Sequence, residues 1–234
     1  MGFVRLSSQT LHPQVRDAAS MLALIRDAKM IPFFSNALPG YSVEEHTLPE
    51  FWFTDEHLGP WDWKIDCVQS GEIAYGKFLW GGKAAFATVD AYRELMNYRR
   101  SLPQYTPTGN QALILKALEE KGSIGIAEIR AMLGIKKAAA DALMTKLEMQ
   151  TRVVTGDILR VYRGEDLHYN GWQRSSFCTP EALFEEDDSC PFPGFSGYSL
   201  RSALSPDQSL DFLKATILRL CPNAPDKLLT RCFQ

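Results

Sequence analysis

Between residues 109 and 164 the apolar side chains change their spacing in an order that few folds accommodate. Gln111 to Lys121 carries Leu113, Leu115, Ala117 and Leu118 at helical spacing until Gly122-Ser123 interrupts it. A second short helix is expected over Ala127 to Leu133, stopped by Gly134, and a third over Lys136 to Met149, with Ala139, Leu143 and Leu147 on one stripe and Ile135 at its start. Arg152 to Thr155 and Ile158 to Tyr162 then read as strands, and the Gly156-Asp157 pair between them suits a tight hairpin turn. Helix, helix-turn-helix and hairpin, in that order, predict a winged helix.

The flanks are organised differently. An N-terminal helix is expected from His12-Pro13 to about Lys29, stopping before Ile31-Pro32, and an aromatic loop follows from Phe33 to Pro60. Glu72 to Leu79, Gly81-Gly82 and Ala84 to Ala87 read as a hairpin, closed by a helix over about Asp90 to Arg99. Pro103 to Gly109 reads as a connector. Beyond Gly164 a surface segment rich in Ser, Pro, Gly and Phe spans Gly171 to Gly197. Thr179-Pro180-Glu181 can cap a short helix within it, and helices are expected to open at Ser205-Pro206 and Pro225. The sequence thus predicts an α+β protein in three parts. Residues 1–108 form an aromatic-rich α/β region, 109–164 a winged helix-turn-helix, and 165–234 a loop followed by a helical C-terminal tail.

Composition narrows the class. With 45% hydrophobic and 23% charged residues in 234, the chain is of ordinary globular type, neither collagen-like nor low in complexity. Its apolar runs fall far short of the ~20 residues that cross a bilayer, and its first residues lack the pattern of a secretory signal. No membrane partner and a cytoplasmic location are therefore expected. Cys67, Cys178, Cys190, Cys221 and Cys232 form no C-x-x-C pair, and His12, His46, His57 and His168 are scattered, so reduced thiols, no metal and no cofactor are expected. No G-x-S-x-G, Walker loop or G-x-G-x-x-G is present.

The net charge is -3, but it is unevenly spread. Residues 109–164 hold nine Lys/Arg against six Asp/Glu, a positive segment in an acidic chain, as expected of a surface that contacts phosphates. Lys136, Lys137, Arg152 and Arg160 are the candidate phosphate ligands. If Ala139, Leu143 and Leu147 face the core, the opposite face of the third helix shows Lys137, Asp141, Thr145 and Glu148. That mixture leaves DNA binding and a protein-interaction module with an acidic stripe both open.

A second concentration of chemistry lies upstream, in Trp61-Asp62-Trp63-Lys64 and Tyr75-Gly76-Lys77-Phe78, with Phe33-Phe34, Phe51-Trp52-Phe53 and Trp80. Rings beside lysines could stack on an extruded base while a cation holds phosphate, or they could simply form a small core. Trp61, Trp63, Lys64, Tyr75 and Lys77 are the candidate pocket residues. Asp62, Asp66 and Glu72 are the first acid/base candidates if catalysis occurs there, as in a divergent glycosylase or hydrolase.

Phe33-Phe34, Leu38 to Glu45, Gly59 to Lys64, Ala74 to Phe78, Tyr98-Arg99-Arg100, Leu147 to Thr151, Gly171-Trp172 and Thr179-Pro180-Glu181 are motifs in an order that resembles bacterial proteins described as AlkZ-related. The resemblance implies a distant link to the winged-helix alkylpurine DNA glycosylases, which are tandem winged helices that excise damaged bases through a Gln-x-Gln or Gln-x-Asp motif. None of the glutamines at 9, 14, 69, 104, 111, 150, 173, 208 and 234 is followed two residues later by Gln or Asp, so those catalytic residues have no counterpart here. What the resemblance leaves as an expectation is a DNA-binding architecture without an identifiable glycosylase motif.

Overall fold

Asp17 begins the first helix by accepting from the Ser20 amide at 2.7 Å while the Ser20 hydroxyl takes the Asp17 amide, a reciprocal cap that satisfies two otherwise orphaned donors. In the computed structural model, which describes residues 14–52, 58–185 and 197–234, this helix (α1) spans Ala18–Ala28. The start expected at His12-Pro13, like Phe53, His57 and Cys190, lies outside the described residues. Met21, Leu24, Ile25 and Ala28 of α1 face inward.

The chain continues through strand β1 (Met30–Pro32), a short helix α2 (Val43–His46) and helix α3 (Pro60–Gln69), where Pro60 occupies the first turn. Strands β2 (Ile73–Leu79) and β3 (Lys83–Thr88) form the expected hairpin, and helix α4 (Val89–Arg100) closes it. These strands make an antiparallel sheet in the order β1-β3-β2.

Helix α5 (Asn110–Lys121), strand β4 (Ile124–Gly125), helix α6 (Ile126–Leu133) and helix α7 (Lys137–Met149) follow, then strands β5 (Val154–Arg163) and β6 (His168–Cys178) in a second antiparallel sheet of order β4-β6-β5. The tight turn expected at Gly156-Asp157 is a bulge instead. There the β5 register slips against β6, and the Asp157 carboxylate accepts from the Ile158 amide at 2.7 Å and from Gln69 of α3 at 3.0 Å. The chain reverses at Gly164 to Leu167, where both end residues take positive φ. Part of the expected surface segment, Gly171 to Cys178, is therefore paired strand. Helices α8 (Pro180–Phe184), α9 (Pro206–Leu220) and α10 (Asp226–Cys232) complete the α+β fold.

Two apolar cores result among the described residues. The larger packs α1, the first sheet, α3 and α4 against α9 and α10, and also takes Val154, Ile158 and Cys178 from the base of the second hairpin. The smaller lies among α5, α6 and α7, with Ile114, Leu118, Ile129, Met144 and Leu147 at its centre.

A polar joint ties the two together. Arg99, fully buried on α4, donates Nε and Nη2 to the Phe233 carbonyl at 3.0 and 2.9 Å and Nη1 to the Met149 carbonyl at 2.9 Å. Arg100 donates to the Thr151 carbonyl at 2.6 Å and pairs with Glu181 on α8. Earlier on α4, the Glu94 carboxylate accepts from Ser202 and Ser209, both at 2.6 Å, which fixes α9. Burial pushes the Glu94 carboxyl up, but those hydroxyls and Arg93 outweigh it and hold the group below the usual glutamate range.

Among the described residues no helix is long and apolar enough to cross a membrane, and no group of His, Cys, Asp and Glu is placed to hold a metal ion.

Candidate functional site

Helix α7 does not carry the stripe its sequence suggests. Ala140, Met144, Leu147 and Glu148 are buried, Leu143 is half-buried and Ala139 is exposed. The helix has two neighbours, its own helical core on one side and β2 on the other, so its covered face is wider and rotated from the one a single core would give. Two glycines permit the approach. A Cβ on Gly76 would stand 2.8 Å from Glu148 Oε1, and one on Gly82, at φ +103°, would stand 2.6 Å from Thr145 Cγ2.

Where the two surfaces part, they leave a cleft of about 680 Å³. Trp61 and Lys64 of α3 and Tyr75, Gly76 and Lys77 of β2 form one wall. Lys137, Asp141, Met144, Thr145 and Glu148 of α7 form another, and Gln173 to Ser175 and Phe177 of β6, with the first turn of α6, complete it. The rings on the α3 side belong to a connected aromatic cluster. Trp61 meets Phe33 edge-on at 5.9 Å between centroids, Phe33 lies 5.7 Å from Phe86, and Phe86 lies 4.8 Å from Tyr75. Trp61 and Tyr75 end that chain and show their rings to the cleft.

The two most enclosed acidic or basic side chains lining the cleft are perturbed in opposite senses. Lys64 is only 3% exposed, and burial pulls its ammonium down to about 7 against a weaker upward pull from Asp62. Its Nζ sits 3.1 Å from the Trp61 ring centroid, a contact that favours the cation without supplying a counter-charge. Glu148 is also 3% exposed, and burial pushes its carboxyl up to about 7 despite the Lys77 ammonium and the Lys77 amide, which both favour the anion. Burial of Tyr75, reinforced by Glu148, raises its phenol well above the usual range.

Four of the five expected pocket residues, Trp61, Lys64, Tyr75 and Lys77, are brought together at the cleft. Trp63 is not among them, since it turns inward and packs its ring 5.2 Å from Phe51. None of the three candidate carboxylates lines the cleft, and each has a partner. Asp62 accepts from the Tyr169 hydroxyl, Asp66 pairs with Arg160 at 3.3 Å, and Glu72 pairs with Arg26.

The four candidate phosphate ligands are also dispersed. Lys136 and Lys137 are exposed at the start of α7, with Lys137 held to Asp141 at 2.6 Å. Arg160 is tied to α3 through Asp66, and Arg152 is half-buried beside Arg100 and Glu181, with its Nε enclosed. The acidic stripe expected on the outer face of the third helix does not form, because Glu148 is enclosed and Asp141 is paired.

Sequence reasoning placed Glu148 on an exposed stripe of the third helix rather than in a pocket, and it singled out neither Arg174 nor the exposed end of the hairpin. There Arg163 lies 4.7 Å over the Trp172 ring, and the Tyr162 and Tyr169 rings meet at a tilt with centroids 5.7 Å apart. The Gly171-Trp172 motif carried a signal for that end, but the misplaced turn concealed it.

Several of the motifs singled out in the sequence meet in space. Gly59 to Lys64, Ala74 to Phe78 and Leu147 to Thr151 converge at the cleft, and Tyr98 to Arg100, Thr151 and Glu181 converge at the joint behind it. No curated protein and no solved structure matches the chain. The family described as AlkZ related matches residues 15–234, so the match takes in both sheets, the cleft and the joint. The chain therefore belongs to the AlkZ-related family.

Proposed function

We propose that the protein binds DNA, with the segment from α5 through β6 acting as a winged helix and the cleft receiving an unstacked base. The observation that carries this reading is the composition of the cleft, which joins the Trp61 and Tyr75 rings to three exposed cations, Lys77, Lys137 and Arg174. Rings accept any base by stacking, while cations at the rim hold the phosphates on either side. A volume of about 680 Å³ lies within the ~300–1,000 Å³ typical of ligand pockets.

The topology supports it. Helix, strand, two helices and a hairpin, with sheet order β4-β6-β5, follow the winged-helix plan, in which α7 takes the place of the recognition helix. The C-terminal half of α7 is covered by β2, so its open N-terminal turn, with Lys136 and Lys137, is the part left to meet a duplex. Recognition helices commonly make their base contacts with that end. Arg163 and Trp172 put a cation and a ring on the wing. Membership of the AlkZ-related family favours a nucleic-acid partner over a protein one. Cys67, Cys221 and Cys232 are free thiols, which suits a cytoplasmic setting.

Reversing both Lys136→Glu and Lys137→Glu is expected to weaken duplex binding and to lower the slope of log affinity against log salt by about 1–2, at roughly 0.9 per phosphate contact. Electrophoretic retention of a labelled duplex over a salt series measures both quantities. Unchanged affinity and slope would remove the start of α7 from the interface.

A further inference from the structure

Lys64 is an unusual lysine. Its side chain is enclosed, its amine faces a ligand-sized cleft, and among the described residues no carboxylate or carbonyl is bonded to it. Asp62, two residues away, is the acid whose charge reaches it, and that carboxylate already accepts from Tyr169. Structural lysines keep their ammonium in water or pair it. A primary amine desolvated beside an aromatic ring, without a counter-ion, has the environment of one used as a nucleophile.

We propose that Lys64 captures an aldehyde carried on the bound nucleic acid, namely the ring-opened sugar of an abasic site, as a covalent imine. The proposal rests on the DNA-binding reading, which supplies the ligand. Three further observations give the site its fit. The cleft is walled by Trp61 and Tyr75, so a sugar that has lost its base can enter where a base would stack. Lys77, Lys137 and Arg174 stand where its two flanking phosphates would lie. Burial already keeps a large share of the Lys64 amine uncharged near neutral pH, the form that carries the attacking lone pair.

In the step itself, the Nζ lone pair forms the bond to the aldehyde carbon as the carbonyl π electrons move onto oxygen. That oxygen takes one proton from the nitrogen and one from solvent and departs as water, leaving a protonated imine. No oxidant or reductant is consumed. Hydride from added borohydride reduces the imine to a stable secondary amine, which makes the intermediate observable.

The full chain is incubated with a duplex containing one abasic site, with sodium cyanoborohydride present, and in parallel with the intact duplex. Retention is read on native gels and covalent adduct on denaturing gels, and the modified lysine is located by peptide mapping. The expected result is retention of both duplexes, and an adduct with the abasic duplex that maps to Lys64. With Lys64→Arg, which keeps a cation but removes the amine, the adduct is lost from whatever abasic duplex is retained. An adduct confined to Lys77, Lys137 or other lysines overturns the proposal, as does retention without adduct, and in both cases the DNA reading stands. Failure to retain either duplex overturns the DNA reading and the capture with it. Mapping on the unaltered chain gives its answer whether or not the variant folds.

Discussion

Arg99→Met should lower the unfolding free energy by roughly 3–5 kcal/mol. The guanidinium is fully enclosed and serves two carbonyls from different parts of the chain, Phe233 near the C-terminus and Met149 at the end of α7. Methionine fills a similar volume but leaves both acceptors without these donors, and an unmet buried acceptor costs about 1–3 kcal/mol. Packing is lost as well, because the guanidinium lies 5.4 Å from the Tyr105 ring centroid. Arg99→Lys should recover little, since a single ammonium on a flexible stem cannot reproduce the planar fork that reaches both carbonyls. Urea unfolding of the two variants checks this. A loss below about 1 kcal/mol, within the range of a single ordinary hydrogen bond, would mean that the joint is not what holds α4, α7 and the C-terminus together.

Glu148→Gln should change how stability responds to pH. Burial raises the folded carboxyl from the usual 4.5 to about 7, so between those values the folded chain holds a proton that the unfolded chain has released. Stability contributed by the protonated form is complete below 4.5 and is lost as pH rises through 7. Glutamine keeps the shape and an acceptor for the Lys77 amide but cannot ionise. The variant should therefore match the parent near pH 4.5 and exceed it by about 3 kcal/mol at pH 8, because each tenfold gain in the carboxyl's proton affinity on folding is worth about 1.36 kcal/mol. Lys77 and Tyr75, which face Glu148 from β2, are present in both proteins and largely cancel in the difference. Denaturation curves from pH 4.5 to 8 that run parallel for the two proteins would place the carboxyl in water and remove it from the floor of the cleft.

Elements with one buried face were legible in the sequence. Helices α5, α6 and α9 and the hairpin of β2 and β3 lie within a few residues of their expected bounds, because one apolar stripe, or one alternating run, sets each. Helix α3 was hidden. Pro60, Trp63, Lys64, Ile65, Cys67 and Val68 are all enclosed, so a charged lysine sits on the buried side and only the narrow polar stripe of Asp62, Asp66 and Gln69 marks the helical period, while its rings drew attention as a cluster.

The hairpin turn was misplaced because Gly156-Asp157 is locally a good turn sequence. The Asp157 carboxylate instead engages Gln69, a partner 88 positions away that local reading cannot supply. Glu148 failed for a related reason. A period of 3.6 phases a helix against one core, and α7 has a second surface against it. The pocket residues fared better, since Trp61, Lys64, Tyr75 and Lys77 sit on two adjacent elements of one small sheet-and-helix unit. The cations were assigned from charge alone, and charge does not say which of Arg152 and Arg160 a neighbour will claim.

A chain selected only for durability would hardly enclose Lys64 and Glu148 as it does. The two groups are not paired with each other, and leucine or methionine in either place would remove a standing desolvation penalty. Keeping both weakens the native state near neutrality, where cells operate, and that is the trade-off expected where usefulness sets a residue's identity ahead of robustness. Variants screened for heat resistance would be expected to accumulate at these two positions first, and to be the ones that lose whatever the cleft does.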